Sequence, residues 1–563
     1  MTNQPDPPRQ TQPIERLLVL GLDGATFDVI HPMIADGKLP NLKAFMESGT
    51  WAPLASTSPP VTFPAWSSFI TGLAPGRHGL FDFTQKMLGA YRIRFANATD
   101  RSGSSLFARI TKAGGRSLVL GVPATYPPEP INGFLVPGFD APVSTGSDAE
   151  ATNDPALYRR IEAKAGPWMR PALKETGEIP LDRTREHLLD RVERKTNFAK
   201  TAIEELRSSG PLDFMMIVYS ESDTVGHHFW RHHDPSSPRH DPNASAEARS
   251  AIEAVYAKLD EACGELREAF GEEALCVVMS DHGMGGASRY VVHLNRYLNE
   301  CGLLARKHRR GPGVDQAARR LREALLRYVP AGLAQILFRR ARAAAARVES
   351  GARFGGFDWR TTQAFSEEAN TNPGVWINLQ GREANGSVAP EDYERTRDDT
   401  IKALLEWRLP DGQPVVARAI KREELYKGPF VSRAPDIAIE LALDHGYGLS
   451  LVASRWEAEA APGSSASITR LGDDELAGGR GLGMNGTHRA DGILIGVGDA
   501  LELTNPKPRL VDMAPTLLAA MGIEWDTSEN EADGASIVTG QHRYSAEEEA
   551  IVADRLRALG YLE

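Results

Sequence analysis

The chain has 563 residues, of which 41% are apolar, 25% charged and only 7% aromatic. That apolar share supports a buried core and excludes global disorder, and the length suits roughly two to four domain-sized units or one large α/β domain with insertions. Lys and Arg number 64 against 75 acids, a net charge of −11 that argues against a whole-chain nucleic-acid binder, and Cys263, Cys276 and Cys301 have neither a disulfide framework nor a CxxC zinc spacing.

Residues 1–16 are polar and proline-rich and read as a loose tail, without the basic patch and apolar run of a secretory signal. No stretch of eighteen apolar residues occurs, so the expectation is a soluble, cytoplasmic protein. In chain order, Leu17–Gly21, Ser117–Val122, Phe214–Tyr219, Leu275–Ser280 and Ile493–Val497 read as buried parallel strands, being short, bounded and rich in Val, Ile and Leu. Leu39–Ser48, Pro64–Thr71, Arg183–Ser208, Ser245–Phe270 and Asp512–Met521 read as helices, the last closed by Gly522. The alternation predicts a three-layer α/β/α sandwich with a mostly parallel central sheet, helices covering both faces.

Residues 17–300 and 475–563 form the predicted core, and residues 301–474 a helix-rich insertion or cap. From Arg306 to Arg353 thirteen basic residues stand against three acids, a net of +10 that leaves −21 on the rest. Leu321, Leu325 and Val329, then Leu333, Ile336 and Leu337, recur at helical spacing on either side of Pro330. This basic helical pair reads first as a solvated insertion packing one stripe on the core, and more sharply as a peripheral contact with anionic membrane through 306–353. Trp376–Leu379 and Pro414–Val416 read as strands, and Gly463–Ser467 and Gly472–Gly483 as loops.

The chemistry gathers where strands end. Leu17–Gly21 runs into Asp23, Phe214–Tyr219 into Asp223 and His227, and Leu275–Ser280 into Asp281 and His282. Ligands of open parallel sheets collect beyond the carboxyl ends of strands. His488 joins these residues from the loop before Ile493–Val497. Three carboxylates and three imidazoles suit Zn²⁺ or Mn²⁺ and are too many for one tetrahedral ion; two divalent ions about 4 Å apart would use them all. Singly, each residue reads as a cap, a turn or a satisfied polar group; together they read as a site. Thr62 stands at the head of the Pro64–Thr71 helix, either as a capping hydroxyl or as a nucleophile activated beside the cations. The free N–H groups of that helix end suit phosphoryl oxygens. In the run His227 to Asp234, His228 and Arg231 are candidate substrate contacts, while His232 and His233 read as exposed members of a polar loop, and Arg77 and His78 as structural residues of a turn.

Several pieces taken together resemble a known family. Val61-Thr62-Phe63-Pro64 with Thr71-Gly72-Leu73 and Pro75-Gly76-Arg77-His78-Gly79 is similar to the nucleophile region of the type I phosphodiesterase/nucleotide pyrophosphatase branch of the alkaline phosphatase superfamily. Leu20-Gly21-Leu22-Asp23-Gly24, Asp223-Thr224-Val225-Gly226-His227, Ser280-Asp281-His282-Gly283-Met284, Gly486-Thr487-His488 and Asp512-Met513-Ala514-Pro515-Thr516 with Asp533-Gly534 follow in that family's order. The resemblance implies an alkaline phosphatase-like fold. One cation would sit on Asp23, Thr62, Asp281 and His282, and the other on Asp223, His227 and His488. It further implies a small phosphorylated substrate and in-line attack by Thr62 through a phospho-threonine. Where the family's nucleotide pyrophosphatases place an Asn, Asp82-Phe83 stands here, which points toward a bacterial phosphohydrolase or phosphomutase-like branch. The Phe63 backbone N–H or a histidine of the cluster is the substitute donor expected from this pattern. A phosphomutase working under the 301–474 cap and a membrane- or polyanion-docking protein are the alternatives; a sulfatase is disfavoured by Thr62 in place of Cys or Ser.

Overall fold

A computed structural model describes residues 16–141, 148–168, 181–307, 354, 356–454, 456, 467–476, 484–497, 505–525 and 544–558. The basic pair from 308 to 353, the tail 1–15 and Asp533-Gly534 lie outside the described residues, as do most of the two Gly/Ser-rich loops.

The central sheet uses β1 (Leu17–Leu22), β2 (Thr50–Ala55), β3 (Ser117–Val122), β4 (Gly133–Pro137), β5 (Phe214–Tyr219), β6 (Leu275–Met279) and β15 (Asp491–Val497). Their order across the sheet is β2-β15-β6-β1-β5-β3-β4. The five strands from β6 to β4 are mutually parallel. Because successive strand residues point to opposite faces, β1 sends Leu18, Leu20 and Leu22 into one core and Leu17 and Val19 into another. The first core is covered by α3 (Leu181–Arg207), α4 (Glu221–His233) and α5 (Ala251–Phe270), which contribute Val192, Phe198, Phe229, Val255 and Leu259. The second is covered by α1 (Thr62–Thr71), α2 (Leu106–Lys112) and α7 (Leu510–Ala520), through Phe69, Ile70, Ile110, Met513 and Leu517. The chain is therefore the expected α/β/α sandwich on a mostly parallel sheet.

One strand departs from expectation. β15 runs antiparallel to β6 and β2. It follows directly on β14 (Gly486–Arg489), which pairs with the start of β7 (Gly283–Val292) just beyond the carboxyl end of β6. The chain thus enters β15 at the carboxyl edge without a crossover, and parallel entry requires one of a dozen or more residues. Helical boundaries also move: Ser245–Phe270 divides into Ala246–Arg249 and α5, α1 begins at Thr62 rather than Pro64, and α3 and α7 each begin two residues earlier than expected.

The described part of 301–474 is more β-rich than its sequence suggests. An antiparallel sheet of β8 (Ala364–Phe365), β9 (Gly374–Ile377), β11 (Ile437–Leu441) and β10 (Val416–Lys421) packs beside α6 (Tyr393–Glu406). Its core of Phe357, Phe365, Trp376, Leu404 and Ile437 continues into Val292 at the end of β7 and Leu298 beyond it. A buried Lys86–Glu383 ion pair at 2.7 Å and a 2.8 Å bond from the Tyr426 hydroxyl to the Ser58 carbonyl tie this layer to the nucleophile side of the core. Among the described residues no helix is long and apolar enough to cross a membrane.

Candidate active site

β1 lies between β5 and β6 in register, Gly21 opposite both Val218 and Met279, so their carboxyl ends open side by side. Asp23 follows β1 directly, and Asp281 and His282 follow β6 after Ser280. After β5 the chain turns at Ser220 into α4, which places Asp223 in its first turn and His227 one turn later on the same face. The histidine run after Asp223 is thus helical rather than a loop. His488 arrives on β14, paired opposite Met284, so the antiparallel partner of β7 delivers the last imidazole.

Candidate ligand atoms fall into two groups, Asp23, Asp281 and His282 in one and Asp223, His227 and His488 in the other, each within 4.8 Å internally. His282 and His488 join them, their rings stacked with centroids 3.7 Å apart. All six residues expected from sequence are therefore neighbours. Thr62, the first residue of α1, is fully buried, and its Oγ1 lies 3.3 Å from His282 Nε2. It does not cap the helix; Val61 holds that position without a side-chain bond.

Each imidazole is oriented by a backbone carbonyl. Nδ1–H of His227 donates to Gly486 O at 2.8 Å, that of His488 to Pro60 O at 2.8 Å and that of His282 to Gly283 O at 3.1 Å. In the neutral rings this selects the Nδ1–H tautomer and turns all three Nε2 lone pairs inward, as metal-bound histidines are held. The Nε2 atoms of His227 and His488 face each other at 3.0 Å and stand 3.3 and 3.4 Å from Asp223 Oδ1. His282 Nε2 stands 3.3 Å from Asp281 Oδ2 and 3.6 Å from Asp23 Oδ1, both buried oxygens that accept no hydrogen bond.

The remaining oxygens are tethered. Asp281 Oδ1 accepts from the Gly24 N–H at 3.2 Å and Asp23 Oδ2 from the Trp66 indole N–H at 3.1 Å. Gly24 has φ +66° and a Cβ there would stand 2.9 Å from Asp223 Oδ1, so the residue after Asp23 must be glycine for the two groups to approach.

Burial, then the charge of Asp223, pushes the Asp23 carboxyl up to about 8. Burial, then Asp23 and Asp223, raises Asp281 well above the usual range. At Asp223 burial also opposes ionisation, but His227 and His488 overcome it and hold the carboxyl well below its ordinary value. Burial, then the neighbouring His488, keeps His282 neutral. Three buried carboxylates crowded together, with inward lone pairs around them, leave negative potential that a cation relieves. The oxygen and nitrogen donor set, without thiolate, suits Zn²⁺ or Mn²⁺.

The Phe63 ring packs against Phe83 with centroids 4.6 Å apart, which leaves its backbone N–H at the head of α1. Arg231 gives its guanidinium to the Leu476 carbonyl and to Asp241. His228 is half-buried, its carbonyl accepting from Asn485. His232 is buried rather than exposed, and burial, then Arg231, lowers it to about 4. His78 is structural, as expected: it accepts from the Leu80 N–H and faces Ser68 Oγ at 3.1 Å. Sequence reasoning missed Trp66, Gly24 and the three orienting carbonyls; the positive-φ glycine after Asp23 was the one signal present in the motif.

A mostly parallel sheet that gathers Asp and His around a buried hydroxyl at a helix head defines an enzyme of the phosphoester hydrolase class. The type I phosphodiesterase / nucleotide pyrophosphatase family matches residues 17–457, and the chain belongs to that family. Phosphonoacetate hydrolase from Sinorhizobium meliloti 1021, solved with phosphonoformate, shares the fold at a TM-score of 0.51 and 16% identity, covering 91% of this chain and 96% of its own. The alkaline phosphatase PafA aligns at a TM-score of 0.48 and 14% identity, over 92% and 97% of the two chains. Murine ectonucleotide pyrophosphatase / phosphodiesterase 5, solved in an inactive form with AMP, aligns at 0.46 and 13%, over 90% and 95%. No curated protein matches the sequence.

Proposed function

We propose that this enzyme hydrolyses a small phosphoric ester, with Thr62 as nucleophile and two divalent cations held by its Asp and His groups. The observation that carries this reading is the division of ligand atoms into two adjacent triads, with Thr62 Oγ1 against one of them. Asp23, Asp281 and His282, with Thr62, would hold one cation, and Asp223, His227 and His488 the other. When bound, such cations supply Lewis-acid charge that favours the Thr62 alkoxide and neutralises phosphoryl oxygens.

The chain's own residues do the rest. Burial of Thr62 excludes bulk water from the nucleophile, and the first N–H groups of α1, Phe63 among them, point to where phosphoryl oxygens would lie. Thr62 Oγ1 forms a bond to phosphorus as the bond to the leaving oxygen breaks in line. Water then cleaves the phospho-threonine, giving phosphate and free Thr62. Substituting Thr62→Ala is expected to abolish turnover of a nitrophenyl phosphodiester while leaving bound metal, read by elemental analysis, near wild type. Full activity in that variant would overturn the proposal.

A phosphomutase is the second reading. It is favoured by the cap segment Tyr426–Arg433, which packs on the backbone at Ser58, Gly76 and Gly79 beside the nucleophile. Comparing hydrolysis with isomerisation of sugar and glycerate phosphates separates the two.

A further inference from the structure

Trp66 is the largest side chain on the nucleophile helix and is wholly buried. It lies one turn after Thr62, so both residues project from the same face of α1. Its ring is wedged in place on two sides. A Cβ on Gly21 of β1 would stand 2.6 Å from Trp66 Cη2, so only glycine lets the indole lie on that strand. Phe69 meets it edge-on with centroids 5.9 Å apart. A buried indole N–H requires an acceptor, and the acceptor here is Asp23 Oδ2 at 3.1 Å. The same carboxylate's Oδ1 accepts no hydrogen bond and lies 3.6 Å from His282 Nε2, the nitrogen that also faces Thr62 Oγ1 at 3.3 Å.

We propose that Trp66 is a positioning residue of the cation site: its N–H ties down Oδ2 of Asp23 and so presents Oδ1 alone beside His282 and the Thr62 hydroxyl. A single rigid helix face then sets two things at once, the nucleophile and the rotation of a ligand carboxylate that comes from a different strand. Groups that orient metal ligands in this way are typically worth about 10- to 100-fold in metal affinity. The inference rests on the two-cation reading above.

The test uses the full chain, stripped of metal and titrated with Zn²⁺ against a chromophoric chelator, with kcat and KM on a nitrophenyl phosphodiester as a second readout. In Trp66→Phe, which keeps an aromatic ring and loses the donor, one of the two Zn²⁺ equivalents weakens by about 10- to 100-fold. The equivalent at Asp223, His227 and His488 is unchanged, and kcat falls with little change in KM. Replacing Trp66 by 3-(3-benzothienyl)alanine, which keeps the indole shape with sulfur in place of N–H, separates donor from packing. The same selective loss supports the proposal. Wild-type titration in the benzothienyl variant, or equal weakening of both equivalents, overturns it. A wild-type chain that binds no divalent ion defeats the two-cation reading itself, whereas two tight equivalents in every variant defeat only the role of Trp66.

Discussion

Removing a ligand from the site should stabilise the metal-free protein. Asp23 is fully buried and raised from 3.8 to about 8, by burial first and Asp223 second. Between those two values the folded chain holds a proton that the unfolded chain has released. At this group the folded state therefore binds more protons, and the contribution of Asp23 to stability falls as pH rises from about 4 to about 8. At pH 7 the interval above 3.8 is about 3.2 pH units, which at 1.36 kcal/mol each costs about 4 kcal/mol. Asp23→Asn removes that cost and keeps an oxygen for the Trp66 N–H, while its imperfectly bonded amide costs about 1–3 kcal/mol. The net expectation is a gain of about 1–3 kcal/mol for the chelated variant at pH 7, turning into a loss of about 1–3 kcal/mol near pH 4, where only the amide cost remains. Urea and thermal unfolding of both proteins in chelator across this range reads it. With saturating Zn²⁺ or Mn²⁺ the order reverses, because binding to the folded state alone adds about 2.7 kcal/mol at 100 times Kd and the variant has lost a ligand. A variant whose advantage over the metal-free wild type does not grow from pH 5 to 7, or that is no more stable than wild type at pH 7, would refute the electrostatic account.

Other outcomes follow from the same geometry. Gly24→Ala adds a Cβ 2.9 Å from Asp223 Oδ1 at a positive φ, so it should weaken metal binding and activity at least tenfold, with far-UV circular dichroism unchanged. His488→Ala removes the imidazole shared by ring stacking between the two triads; one metal equivalent should be lost in elemental analysis, and kcat should fall by at least 100-fold. Lys86→Met leaves the buried Glu383 with Arg382, at 3.0 Å, as its remaining cation and should cost up to about 3 kcal/mol, seen as earlier unfolding of the 356–454 layer in hydrogen exchange.

How much of this was legible beforehand follows from where each signal resides. Strands β1, β3 and β5 are written in short Val/Leu/Ile/Met runs, and their ends name Asp23 and Asp223, because hydrophobic periodicity is a local property. Spacing alone also puts Asp223 and His227 four residues apart, although that they share a helix face became clear only in the structure. The sequence by itself thus determined the fold class and the residue types of the site.

Only the tertiary structure decided the direction of β15, since direction depends on which edge of the sheet the chain enters, and that is set by β14 pairing with a strand some two hundred residues earlier. The same non-local pairing brings His488 to His227 and His282, and the packing of α1 on β1 brings the Trp66 N–H to Asp23. A hydrogen bond between residues 43 positions apart leaves no periodicity in either segment. It exists because two buried surfaces fit, and a sequence states those surfaces one at a time.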